Sequence, residues 1–217
     1  MQFLLDYINR KRHNRGFGIQ SPSAFYFVTQ VLKEKGKYYH YSDIDRIATA
    51  CGAHSKRHCR MLFRIVNYFN PKNIIVTGTD RGDTLCAMAA ARNNAVSIDQ
   101  SNNLHPKAKE FIYTKNCRLL TGNIAKILQE LLQKENQATL IYIGTESNYA
   151  EITATAMLTA TERTVIIIAA PHSCAKKREW WEEIIKDPAT TVTYDLYSIG
   201  ILLFDKEKQK QHYTLKM

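Results

Sequence analysis

Long hydrophobic runs are missing from this chain of 217 residues. No apolar stretch approaches the roughly 20 residues that a helix needs to cross a bilayer. The start, Met1-Gln2-Phe3-Leu4-Leu5-Asp6, also lacks the basic opening and apolar core of a secretory signal. Cysteine is scarce and scattered. Cys51, Cys59, Cys86, Cys117 and Cys174 are odd in number and contain no Cys-x-x-Cys pair, which argues against a disulfide framework and against a structural zinc site. A cytoplasmic protein with no membrane partner is therefore expected. Two nucleotide signatures are absent as well: there is no Gly-x-Gly-x-x-Gly, and no Gly-rich loop ends in Lys-Ser or Lys-Thr. Nor is there an aromatic-basic RNA motif, a zinc finger, a helix-turn-helix, an internal repeat or a low-complexity tract.

What is present is the composition of an ordinary globular protein, 45% hydrophobic and 23% charged, with a formal net charge of +10. The length suits one α/β domain with a small appendage. The positive charge is densest at Arg10-Lys11-Arg12-His13-Asn14-Arg15 and at Lys56-Arg57-His58 with Arg60, but it continues along the chain to Lys206 and Lys210. A basic face can attract nucleic acid or an anionic substrate. Spread out in this way, and without a recognition motif, the charge reads first as solvated surface, with a nucleic-acid groove as the alternative.

The most informative stretch runs from Asn73 to Leu85. Ile74-Ile75-Val76-Thr77 reads as a short buried strand, Gly78-Thr79-Asp80-Arg81-Gly82 as a tight glycine turn, and Asp83 onward as a helix. Such a turn lets backbone N–H groups and a helix N-terminus come close to a nucleotide-like ligand. About twenty residues on, a second apolar run, 95–98, ends in Asp99. Nucleoside-binding α/β folds place the carboxylate that accepts hydrogen bonds from ribose hydroxyls at that point. The alternative is that Asp99 only caps the turn before the next helix.

The first seventy residues read as a helical cap segment, and 71–217 as a Rossmann-like domain. Phe3, Leu4, Tyr7 and Ile8 recur at helical spacing. Ser21-Pro22 starts a second helix with Ser as N-cap and Pro at its first position, and Phe25, Phe27, Val28 and Leu32 are its expected apolar contacts. Ser42 and Asp45 resemble a capping box for the next helix, and Leu62, Phe63, Ile65, Val66 and Phe69 mark an amphipathic helix ending before Pro71. From 73 onward, strand-like runs at 74–77, 95–98, 118–120, 139–143 and 165–169 alternate with helix patterns, which predicts a parallel sheet covered on both faces. The tail runs 190–194, 200–204 and 212–215 have no helix between them and predict an antiparallel edge.

In this order the motifs resemble, over nearly the whole chain, a Bacteroidetes-type family of class I S-adenosylmethionine-dependent methyltransferases, related in layout to small-molecule O-methyltransferases. The resemblance is carried by Gly18-Ile19-Gln20-Ser21-Pro22, by Leu62-Phe63-Arg64-Ile65-Val66-Asn67-Tyr68-Phe69, by Pro71-Lys72-Asn73-Ile74, by His172 with Trp181-Glu182-Glu183-Ile184, and by Gly200-Ile201 and Gln211-His212-Tyr213. It implies an α/β, Rossmann-like methyltransferase fold with a seven-stranded mixed sheet, the final strand inserted antiparallel, and an N-terminal helical cap over the pocket mouth. It also implies S-adenosylmethionine as cofactor, held by Gly78, Thr79, Asp80, Gly82 and Asp99.

The departures from that family fall at strand ends. Val76 stands where the family's first strand carries a glutamate that orients the cofactor's methionine end. Gly144-Thr145-Glu146-Ser147 replaces Asp-Gly-Asn-His, and Ala169-Ala170 replaces a pair of aspartates. Hard cations need oxygen ligands, and Gly144, Ala169 and Ala170 offer no side-chain oxygen, so no metal is expected beside the cofactor loop. His172 is the candidate general base; the alternative is a histidine that caps its turn and packs beside Trp180 or Trp181. Three functional readings stay open: a metal-independent methyltransferase acting on an unidentified small molecule, a degenerate relative that kept the fold for binding or interaction, and a nucleic-acid-associated methyltransferase.

Overall fold

The computed structural model describes residues 18–134 and 138–215. The expected helix around Phe3 to Ile8 and the basic run Arg10 to Arg15 lie outside the described residues. The first described helix, α1 (Pro22–Tyr26), begins as its sequence predicts, with Ser21 accepting from the Ala24 amide and Pro22 in the first turn. It continues directly as a π-helical stretch, Phe27–Leu32. Arg64, itself buried, closes the end of that stretch by donating to the carbonyls of Val31 (2.7 Å) and Leu32 (2.9 Å). Charged donors of this kind satisfy the orphan carbonyls of a helix end.

Two details of this region differ from expectation. Helix α2 (Tyr41–Cys51) is preceded by His40 with no side-chain cap, so Ser42 and Asp45 do not form a capping box. The helix starts before Ser42, whose hydroxyl donates back to the Tyr39 carbonyl, and Asp45 instead receives both nitrogens of an Arg60 fork. Phe25 is exposed, whereas Phe27, Val28 and Leu32 are buried, because Phe25 lies off the helix face that these residues share with Ala24 and Val31. Helix α3 (Lys56–Phe69) then runs, capped by Ser55, to a left-handed Asn70.

From here strands and helices alternate: β1 (Asn73–Thr77), α4 (Asp83–Ala91), β2 (Val96–Asp99), α5 (Pro106–Thr114), β3 (Arg118–Thr121), α6 (Ile124–Lys134), β4 (Thr139–Ile143), α7 (Tyr149–Leu158), β5 (Val165–Ala169), α8 (Ala175–Lys186), β6 (Val192–Asp195), β7 (Ile199–Leu203) and β8 (Gln211–Thr214). The sheet order is β3-β2-β1-β4-β5-β7-β6-β8. The sheet thus has eight strands among the described residues, not seven. The antiparallel strand is β7, inserted between β5 and β6, while the final strand β8 lies parallel to β6 at the edge. The reason lies in the tail's short links. A tight turn after β6 forces β7 back as a hairpin; β7 then ends level with Val192, where β8 begins on the other side of β6.

Alternation along the strands sorts the core into two layers. Ile74, Val76, Leu140, Tyr142, Val165, Ile167 and Ile201 face a cluster shared with α1 to α5. Ile75, Ile141, Ile143, Ile166, Ile168 and Leu202 face α6, α7 and α8. The helices of residues 22–69 therefore belong to one face of the sheet, with Phe27 against Tyr194 of β6 at 4.8 Å between ring centroids. The order in which strands are added reverses at the parallel β1–β4 pair, the switch point at which open α/β sheets leave a crevice beyond the strand ends. Among the described residues, no helix is long and apolar enough to cross a membrane.

Candidate functional site

A cavity of about 600 Å³ opens at that switch point, within the size range of sites that hold small molecules and cofactors. Its walls come from the ends of four strands and from the turn between α2 and α3. The β1 end forms the floor. Gly78 adopts φ +66, and an added Cβ there would meet the Thr145 amide nitrogen at 2.6 Å, so only glycine lets the β1 and β4 loops close on each other. Asp80 is also left-handed. Its amide donates to an oxygen of Asp99 at 3.1 Å, and the Gln100 amide donates to the other oxygen at 2.7 Å. Asp99 thus caps its own turn and pins the glycine loop, and each carboxylate oxygen keeps capacity for a further donor. Both Asp99 and its neighbour Gln100 line the cavity.

Of the expected site residues, Gly78, Thr79, Asp80 and Asp99 come together around this cavity. Gly82 is not in its lining. It precedes α4 with φ +98, and a Cβ there would press on Ala108 and Leu104 at 2.8 Å, so its work is close packing under α5. Val76 is fully buried beside Tyr142, its partner across the β1–β4 pair, and it too lies outside the lining.

His172 does not line the cavity either. Its Nε2 sits 2.7 Å from Asp195 at the end of β6, and its ring stacks on Tyr197 with centroids 5.2 Å apart. Asp195 also accepts from the indole N–H of Trp181 at 3.3 Å and from the Tyr197 amide at 2.9 Å. Trp181 is wholly buried, while Trp180 packs edge-on against Tyr149. The expected packing of His172 beside a tryptophan therefore has an acidic mediator that sequence inspection missed, because Asp195 lies 23 residues away on another strand.

The structure places a different histidine in the cavity wall. His54, in the turn between α2 and α3, lines it. Its amide donates to Asp83 Oδ2 at 2.7 Å, and its Nδ1 lies 3.2 Å from both Asp83 oxygens. Asp83, the first residue of α4, is almost wholly buried and also accepts from the Thr84 amide at 2.9 Å. This bond to Asp83 raises the His54 pKa against the opposing effect of burial. Burial works to raise the Asp83 pKa, but the hydrogen bonds and charge of His54 outweigh it and hold the carboxyl below its usual value. His58 stacks on His54 at 4.6 Å, and burial, with the His54 charge, pushes its pKa down to about 4. The sequence places His54 just ahead of a Ser-capped helix and Asp83 directly after the glycine turn, but nothing local pairs the two across 29 positions.

The far wall is made by Gly144 to Ser147, Ala169, Ala170 and Lys177. Ala170 holds φ +42, a left-handed conformation costly for alanine. Lys177 is buried, with its ammonium 4.9 Å from the centroid of the Tyr149 ring. Among the described residues, no group of three or more His, Cys, Asp or Glu side chains is arranged to hold a metal ion.

No known family model matches the chain, and no curated protein matches it. Solved structures do. The chain is similar to the O-methyltransferase from Bacillus cereus in complex with SAH, at 17% identity and TM-score 0.59, covering 83% of this chain and 97% of that one. It is similar to the O-methyltransferase TomG from Streptomyces achromogenes, involved in tomaymycin synthesis and solved with SAM, at 13% identity and TM-score 0.58, covering 90% and 98%. The SAH-bound methyltransferase PaMTH1 of Podospora anserina matches at 12% identity and TM-score 0.59, covering 87% and 97%. At such identities the likeness fixes the fold: this is the α/β, Rossmann-like class I methyltransferase fold with a mixed sheet.

Proposed function

We propose that the chain is an S-adenosylmethionine-dependent methyltransferase acting on a small molecule without a metal at the strand ends. The observation that carries this reading is the cavity at the β1–β4 switch point, floored by Gly78 to Asp80 and bordered by Asp99. The donor and acceptor set fits the cofactor: spare acceptor capacity on Asp99 suits two ribose hydroxyls, and the Gly78 turn keeps side chains away from the ligand. At the strand ends where hard-cation ligands are needed, Gly144, Ala169 and Ala170 supply none. When bound, the cofactor supplies an activated methyl group. The chain's own contribution is to hold the two reactants in line and exclude water, which asks for few reactive side chains. In this reading His172 stiffens the wall behind β6 and is not the base. The reading keeps the cytoplasmic setting expected from the free cysteines.

Calorimetric titration with S-adenosylhomocysteine tests it. The wild type should bind, and Asp99→Asn should weaken binding at least tenfold, since a charge-assisted bond is worth about 1.5–3 kcal/mol. Absence of binding by the wild type would favour a protein that retained the fold for another purpose.

A further inference from the structure

Lys177 is 2% exposed, yet among the described residues it makes no hydrogen bond and no ion pair. Its ammonium meets the face of Tyr149, 4.9 Å from the ring centroid, and the side chain forms part of the cavity wall beside Glu146, Ala169 and Ala170. The stem is buried while the ammonium borders the cavity, where solvent still reaches it; a cation–π contact replaces only part of the hydration that an ion loses on partial burial. Glu146 lies in the same wall and favours the charged form, but burial outweighs it and lowers the Lys177 pKa. Apolar side chains of similar length would fill this position at less cost, so the lysine is unexplained by packing alone.

We propose that Lys177 is the acceptor-binding residue of the cavity, and that it selects substrates presenting an anionic oxygen, such as a phenolate, an enolate or a carboxylate. The proposal rests on the methyltransferase reading for the word acceptor, but the anion site itself stands on the buried cation. Two features converge on this chemistry. Ala169 and Ala170, in the same wall as the lysine, add no side-chain oxygen of their own, so Glu146 is the one carboxylate of that wall. Thr145, also in the wall, has a buried hydroxyl with no hydrogen-bond partner, a second polar group that a ligand oxygen would satisfy. A substrate bound as its anion needs no base at the moment of transfer, consistent with the lack of a titrating side chain other than Glu146 and Lys177 in this wall.

The test uses 4-nitrophenol, whose ionised form absorbs in the visible, with benzoate as a second anion, and Lys177→Met as the variant. At a pH where about one-tenth of the free probe is ionised, wild-type protein should bind the phenolate in preference to the phenol by about tenfold, equivalent to lowering the probe's pKa by about one unit. Lys177→Met should lose that preference, and benzoate should raise the melting temperature of the wild type only. The variant should fold at least as stably as the wild type, since it replaces an unpaired buried charge with an apolar chain; a lysine kept for the fold would instead lose stability. Failure of the wild type to bind either probe, or an equal preference in Lys177→Met, overturns the proposal. S-adenosylhomocysteine is titrated in parallel. If it binds while the probes do not, the anion site fails and the methyltransferase reading survives; if the probes bind and it does not, the anion site stands and the methyltransferase reading fails.

Discussion

Two histidine–aspartate pairs sit at the same end of the sheet and differ in what surrounds them. His172 and Asp195 are walled in: the His172 side chain is 12% exposed, and Trp181 and Tyr197 share the carboxylate. His54 and Asp83 divide the roles. Asp83 is sealed, with a side chain 1% exposed, whereas the His54 ring is 36% exposed on the cavity wall. In the first pair the carboxylate gathers donors from three places and fixes the β6–β7 hairpin to α8. In the second it anchors one ring that remains part of the cavity wall. A carboxylate-oriented histidine is thus a structural clasp or a site residue according to whether its ring borders a cavity.

The largest effects should separate the pairs by stability. Asp195→Ala removes the acceptor shared by the wholly buried Trp181 indole, the His172 ring and the Tyr197 amide, and should cost about 3–5 kcal/mol in urea unfolding. Asp83→Ala removes bonds to His54 and the Thr84 amide at the cavity edge, where water can replace some of them, and should cost about 2–3 kcal/mol. If Asp83→Ala proves the more damaging, the division into clasp and site is wrong.

Acidity should sharpen the contrast next. His58, stacked on His54, has its folded pKa depressed to about 4. The unfolded chain therefore binds more protons below about pH 6.5, and stability contributed by neutral His58 is lost as pH falls from there toward 4. His54 has the opposite sign: its raised pKa gives stability that is full below about pH 6.5 and fades as pH rises through the folded value. Chemical unfolding at several pH values should show the acid-side slope in the wild type and its reduction in His58→Leu. An unchanged slope would place the titration elsewhere.

Ligand binding should show the smallest but most specific difference. His54→Gln should weaken S-adenosylhomocysteine binding by several-fold to about tenfold, roughly the worth of one hydrogen bond, while His172→Gln should change it less than about twofold. Equal losses in both would mean that His172 reaches the ligand after all.

These pairs also show what the sequence could disclose. The strand–helix alternation from Asn73 onward, the glycine turn and Asp99 are local patterns, each readable within about ten residues, and the structure sets Gly78, Thr79, Asp80 and Asp99 around one cavity. The run 212–215 was readable as a strand, but the count of seven came from the family resemblance, and its parallel pairing with β6 is fixed only by where β7 ends. The partners of His172 and His54 were not legible, since each lies over 20 residues away on another element. Lys177 was invisible for a different reason: on a helix with Lys176 and Arg178 on either side, nothing in the sequence marks it as the buried one.

The central claim is that the cavity at the β1–β4 switch point receives a nucleoside with its ribose at Asp99. A crystal structure of the protein with S-adenosylhomocysteine tests this most directly. The account predicts ribose hydroxyls within hydrogen-bonding distance of the Asp99 carboxylate, the ligand lying over Gly78 to Asp80, and its sulfur turned toward the wall formed by Ala169, Ala170 and Lys177. Density for the ligand elsewhere on the protein, or an empty cavity at saturating ligand with Asp99 bonded only to Asp80 and Gln100, would contradict it.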